Sequence, residues 1–260
     1  MGTRTGIRTT RLLGAATAVA ALVGGAVACA APAPAAGAAE AAPAPVDATC
    51  ATLVKVDAVP PPAGDPSTPD PAAVREWAGR ILPLLDSAVA TAPADVRPSL
   101  TALQGVLKSA ATTGTAAPTD APVVAQSVNQ YEAWAYDHCG YSRVEVTATE
   151  FRLDGVPATL HPGPAAFRLT NRSTANLYHG LLIVRPKDQA MTVAQVVATT
   201  PELLAQQVDV VPGATTAAPG QQGGMLVDLP AGRYIVLCPL GSGDGPPHLM
   251  RGMVAEVSVA

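Results

Sequence analysis

Residues 232–259 read GRYIVLCPLGSGDGPPHLMRGMVAEVSV. The opening GRYIVLC and the closing GMVAEVSV are strand-like, rich in β-branched residues that alternate with others. By the two-residue period, Tyr234, Val236 and Cys238 share one face, so the thiol points the way core residues do. Between the strands lies a loop of Gly and Pro. That loop gathers Cys238, His248 and Met253, a thiol, an imidazole and a thioether, each a soft or borderline metal donor.

Four further stretches upstream have the same strand character: VEVTATEFRL (144–153), PAAFRLTNRS (164–173), HGLLIVRP (179–186) and GGMLVDL (223–229). DG, PG and PAG turns separate them. Six strand candidates within residues 143–260 indicate a β-sandwich or a Greek-key barrel. One interruption, MTVAQVVATTPELLAQQV (191–208), reads as a helical excursion between strands.

Residues 49–140 read differently. In PDPAAVREWAGRILPLLDSAVATA, the residues Val74, Trp77, Ile81, Leu84, Leu85 and Ala88 recur at helical steps. Asp70 before Pro71 suits an N-cap, and Pro83 is expected to kink or restrict the helix. A second stripe carries Val96, Leu100, Leu103 and Leu107, and a third carries Val124, Val128, Tyr131 and Ala135. Three short amphipathic helices form a small bundle with no cluster of ligands or catalytic groups. The fold class is therefore α + β: an N-terminal helical bundle, then the β-sandwich.

The first 28 residues have the pattern of an export signal, with Arg4, Arg8 and Arg11 ahead of an uncharged apolar run that ends at Ala28. Ala26-Val27-Ala28-Cys29 resembles a bacterial lipobox, although Leu or a similar residue is usual where Ala26 stands. AVA equally satisfies the ordinary A-x-A cleavage rule. A lipid on Cys29 gives a membrane-anchored lipoprotein and plain cleavage a secreted protein; both are extracytoplasmic. Residues 29–48 read as an Ala/Pro-rich linker. Without the signal, 13 basic residues face 20 acidic ones, a charge of −7 that disfavours nucleic acid and anionic lipid surfaces.

Export permits disulfides. If Cys29 carries lipid, Cys50, Cys139 and Cys238 remain. The economical arrangement is a Cys50–Cys139 bridge stapling the helical segment, with Cys238 left as a thiolate. A Cys139–Cys238 bridge is the alternative, and it would make the loop purely structural.

One thiolate and two imidazoles in a plane, with a weak axial Met, are the needs of a type 1 copper centre. His179, opening the strand HGLLIVRP, is placed to supply the second imidazole. Zinc is the rival metal, but Met is a poor zinc ligand. The segment Gly232, Tyr234, Cys238, Pro239, His248 and Met253 resembles the signature of cupredoxins such as plastocyanin and pseudoazurin, and Asn171 or Asn176 ahead of His179 fits that pattern. The resemblance covers residues 143–260. It implies one copper with His179, Cys238 and His248 equatorial and Met253 axial; Met250 is the poorer thioether. The nine residues between Cys238 and His248 exceed the two to four usual in small electron-transfer cupredoxins. They resemble instead the type 1 domain of copper nitrite reductases, with a larger loop entropy.

Four histidines cannot build a multicopper oxidase cluster, and G-x-S-x-G, phosphate-loop and H-E-x-x-H motifs are lacking. Of the other histidines, His138 is expected at a helix terminus and His161 in an exposed turn. The expected function is a one-electron carrier with a redox partner protein, not an enzyme. Copper buffering or delivery and a metal-free interaction module are the alternatives. In the carrier, His248, flanked by Pro246, Pro247, Leu249 and Met250, is expected to be the electron port, and the negative charge to steer the protein toward cationic partners.

Overall fold

The computed structural model describes residues 45–62, 68–241 and 245–260. The expected signal segment, Cys29 and residues 29–44 of the linker fall outside these.

Among the described residues, four helices come first: α1 (Pro45–Asp57), α2 (Pro71–Thr91), α3 (Arg97–Thr113) and α4 (Pro122–His138). Three were expected. α1 begins inside the segment read as linker, and it carries only one Leu, so its apolar stripe is faint; it buries Thr49, Cys50 and Leu53. Asp70 caps α2 by accepting from the backbone N–H of Ala72 at 3.2 Å, with Pro71 in the first turn. α2 runs on through Pro83 to Thr91, so the proline does not end it. Ile81 and Leu85 on either side of the proline are buried, and that packing holds the helix together where one hydrogen bond is lost. Val74, Ala78, Ile81, Leu85, Leu100 and Leu107 form the centre of the helical layer. Cys50 and Cys139 are bridged, tying α1 to the end of α4 across 89 residues.

Nine strands follow among the described residues, three more than the sequence suggested. One four-stranded sheet, A, has the order β2-β1-β4-β7, made of β1 (Ser142–Thr149), β2 (Arg152–Asp154), β4 (Gly163–Asn171) and β7 (Gln222–Leu229). The five-stranded sheet, B, has the order β3-β9-β8-β5-β6. It comprises β3 (Thr159–Leu160), β5 (His179–Pro186), β6 (Val208–Ala217), β8 (Gly232–Leu237) and β9 (Val254–Val259). Both are mixed: β1 pairs with β4 in parallel, as β3 does with β9, and the remaining pairs are antiparallel. The helical excursion is broken by Pro201 into α5 (Val193–Ala198) and α6 (Pro201–Gln207), and Thr192 and Gln195 form a capping box at the start of α5.

Side-chain alternation sorts the strands' residues into layers. Val146, Phe167, Leu169, Ile183, Met225, Val227, Tyr234, Val236 and Val257 fill the space between the sheets. The outer face of sheet A presents Ala166 and Leu226 to the helices. On the outer face of sheet B, Val184, Ile235 and Leu237 meet Val196 of α5 and Leu204 of α6.

β7 is an edge of sheet A. The backbone N–H groups of Gly224 and Leu226 are taken up by carboxylates from the helical layer, Glu132 of α4 at 3.2 Å and Asp57 of α1 at 3.1 Å. Alternate residues aim their amides the same way, so two acids two positions apart close the edge against further pairing. Gly224 allows the approach, since a Cβ there would lie 2.7 Å from that of Glu132. Arg168 completes the junction. It pairs with Asp137 at 2.9 Å and lies 3.9 Å from the ring centroid of Tyr136.

Candidate metal centre

β8 delivers Cys238 to one pole of the sandwich on the face expected from its period, in the same apolar core as Tyr234 and Val236. The chain leaves that pole, returns through a 3-10 turn at His248–Arg251, and enters β9 after Met253. The long spacing does not leave the loop loose at its ends. The N–H of Cys238 donates to the carbonyl of Met253 (3.1 Å), that of Leu249 to Cys238 (3.0 Å), that of His248 to Leu240 (2.7 Å) and that of Met253 to His248 (3.1 Å). Gly252, with φ of 99°, reverses the chain at the end of the turn.

β5 brings His179 to the same pole. The segment before it is held by Asn171, which is fully buried. Its Nδ2 donates to the carbonyls of Leu177 and Ala217, each at 2.8 Å, and its Oδ1 accepts from Ser173. Of the two asparagines noted in the sequence, Asn171 is the anchor. Asn176 is exposed in the left-handed region, with φ of 56°.

Donor atoms of His179, Cys238 and His248 all lie within 4.8 Å of one another. Cys238 Sγ is 3.5 Å from His248 Nδ1, and the two imidazole centroids are 5.0 Å apart. His179, Cys238 and His248 are at most 1% exposed. Neither ring nitrogen of His179 has a hydrogen-bond partner among the described residues. Leaving two such atoms dry costs several kcal/mol, on the order of 1–3 each, unless another group binds there. The sulfur accepts from the N–H of Gly180 at 3.3 Å, a contact that stabilises thiolate charge. Burial pushes the Cys238 thiol up, and the amide contacts oppose it. Burial, and next the neighbouring His248, lower His179; burial and then Arg251 lower His248. Both imidazoles are thus biased toward the neutral form that can ligate.

Met253 is fully buried and packs in the inter-sheet core with Cys238. Met250 packs on the outer face of sheet B with Met191 and Val254. One thiol and two imidazoles converging at a buried point, with a thioether in the same core, suit one type 1 copper ion and not a structural zinc. The sandwich is cupredoxin-like.

No protein-family model matches the chain, and no curated protein matches it. Among solved structures, the chain is similar to auracyanin B, at 18% identity over 46% of this chain and 88% of that one, with a TM-score of 0.33. It is also similar to auracyanin A, described as a "blue" copper protein from the green thermophilic photosynthetic bacterium Chloroflexus aurantiacus. There the identity is 17% over 46% of this chain and all 100% of the other, with a TM-score of 0.33. Rusticyanin from Thiobacillus ferrooxidans gives 19% identity over 46% and 79%, with a TM-score of 0.25.

The free thiol of the sandwich and the disulfide of the helical layer fall as expected. Cys238 is unpaired and Cys50 is bonded to Cys139. His138 closes α4, its Nδ1 2.9 Å from the carbonyl of Trp134, and His161 is exposed. One expectation fails. His248 is not a surface port: the ring of Phe151 stands edge-on to it at 5.1 Å. Phe151 was not legible in the sequence, because a turn between β1 and β2 is hidden inside the run VEVTATEFRL.

Proposed function

We propose that the chain is an extracytoplasmic type 1 copper protein that carries single electrons and has no catalysis of its own. The convergence of His179, Cys238 and His248 at one buried point carries this reading. His179, Cys238 and His248 would hold the metal, with Met253 as the fourth, weaker donor. Copper held this way supplies one-electron exchange between Cu(I) and Cu(II). The protein's part is to keep the donors fixed. Asn171 locks the approach to His179, the Gly180 amide steadies the sulfur, and the backbone bonds between Cys238, His248 and Met253 hold the loop.

Burial supports carriage over delivery, since a site that hands copper on must open its ligands to an acceptor. His179, Cys238 and His248 are the one group of this kind among the described residues, which supports a single redox centre without a second catalytic metal. The basic, apolar leader and the Cys50–Cys139 bridge support an oxidising, extracytoplasmic location. A lipid on Cys29 would anchor the protein to the membrane, where it would meet a redox partner protein.

The test is to load the metal-free protein with Cu(II). One copper per chain, an intense visible thiolate charge-transfer band and reversible one-electron voltammetry are expected, and Cys238→Ser should lose the band while keeping its circular dichroism. A wild-type protein that takes up no copper, or a Cys238→Ser variant with the same spectrum, overturns the proposal.

A further inference from the structure

Phe151 sits in the β1–β2 turn with φ of 58°, a region that aromatic residues seldom adopt. Its ring meets His248 edge-on, with centroids 5.1 Å apart and planes at 79°. On this ring lies the guanidinium of Arg251, 3.3 Å from its centroid. From core to solvent the order is His248, 1% exposed, then Phe151, half-buried, then Arg251, exposed.

Both ends of this stack are tied to the segments that carry the imidazoles. The carboxylate of Glu150, next to Phe151, accepts from the backbone N–H groups of Thr174 and Ala175 and from the hydroxyls of Ser173 and Thr174. That segment leads to His179. Arg251 belongs to the same 3-10 turn as His248. A strained aromatic residue held from two sides over a buried imidazole has no part in the ligand set, and the turn could be made more easily by Gly.

We propose that Phe151, braced by Arg251, is the closure of the metal cavity. It keeps water, small anions and chelators from Cys238 and from the metal, and it stands between His248 and any partner. The proposal rests on the copper reading for what is protected, but the closure itself is a property of the metal-free protein. A partner in electron exchange would then meet the Phe151–Arg251 stack instead of a bare imidazole edge.

The test uses the full chain with Cys29→Ser, so that Cys238 is the one free thiol. In the metal-free protein, a water-soluble thiol reagent should modify Cys238 at least about tenfold faster in Phe151→Gly than in wild type, and a few-fold faster in Arg251→Gln. Phe151→Tyr, which restores a ring, should return to the wild-type rate. Gly suits the backbone at φ of 58°, so the ring is removed without adding strain, and circular dichroism should be unchanged. In the copper-loaded protein, azide should shift the charge-transfer band of Phe151→Gly and not that of wild type, and a chelator should strip its copper faster. Equal thiol rates in wild type and Phe151→Gly overturn the closure even if copper binds normally. A large difference in thiol rates supports the closure even if the wild type takes up no copper, and in that case the copper reading is what fails.

Discussion

Met250 and Met253 lie three residues apart in one loop, yet they face different cores. Met253 is fully buried between the sheets with Cys238, whereas Met250 is half-buried beside Met191 and Val254 on the outer face of sheet B. The 3-10 turn between them produces the divergence, and Gly252 then lets the chain re-enter the sheet. The two thioethers can therefore be tested separately. Leu has nearly the volume of Met, so either replacement should cost under about 1.5 kcal/mol of stability. Met253→Leu removes the loop thioether that packs with Cys238 between the sheets and should shift the charge-transfer band and the reduction potential of the copper form. Met250→Leu should change neither. Visible spectra and voltammetry of the two variants decide it, and a reversed pattern would transfer the axial role to Met250.

The elements were legible in the sequence to the extent that their apolar pattern was regular. β5, β8 and β9 alternate or run continuously apolar, and α2 to α4 carry plain stripes, so these stood out together with the side chains they position. β6 did not, because VDVVPGATTA contains Pro212 and Gly213 and has little alternation. It forms nonetheless, because it is the edge of sheet B, where a missing N–H is tolerated. The register with β5 jumps between Leu182 and Val184 to accommodate Val211, Pro212 and Gly213. α1 was faint for another reason: it is held by the Cys50–Cys139 bridge and by a Thr49–Thr91 hydrogen bond of 3.0 Å as much as by apolar residues. Closure of an 89-residue separation by that bridge constrains the unfolded chain by about 4–5 kcal/mol in the chain-entropy account. Replacing both cysteines by Ala should therefore lower unfolding stability by about 2–4 kcal/mol in urea titrations. The copper spectrum should persist, since the bridge belongs to the helical layer and not to the pole that holds Cys238. Loss of the blue band in the doubly substituted, still folded protein would refute that separation.

At the scale of the whole molecule, the helices and the sandwich pack as one unit, joined where two acids meet the β7 edge. This junction was invisible in the sequence, because Asp57 and Glu132 read as ordinary helix-surface charges until the fold buries Glu132 and half-buries Asp57 against β7. Asp57 faces Tyr131 of its neighbouring helix, which donates to Oδ1 at 2.5 Å, the amide of Leu226, and the carboxylate of Glu132; its charge also reaches Tyr141. Burial is the largest influence on both acids: it pushes Asp57 up to about 6 and Glu132 well above the usual carboxylate range, against the hydrogen bonds that each accepts. The folded protein thus retains a proton at Asp57 that the unfolded chain gives up near pH 4. Stability from this group is fully present below pH 4 and declines as the pH rises toward 6 and beyond. Asp57→Asn keeps an acceptor for the Leu226 amide and has no charge to bury. The difference in stability between wild type and this variant should consequently turn against the wild type by about 2 kcal/mol between pH 4 and pH 7, then level off. Urea unfolding of both metal-free proteins across that range measures it; groups remote from Asp57, such as Glu150 and Glu256, cancel in the comparison, whereas Glu132, which faces Asp57, contributes to the difference. Parallel curves would mean that Asp57 is charged in the fold at neutral pH at no cost, and that the junction is more hydrated than its geometry indicates.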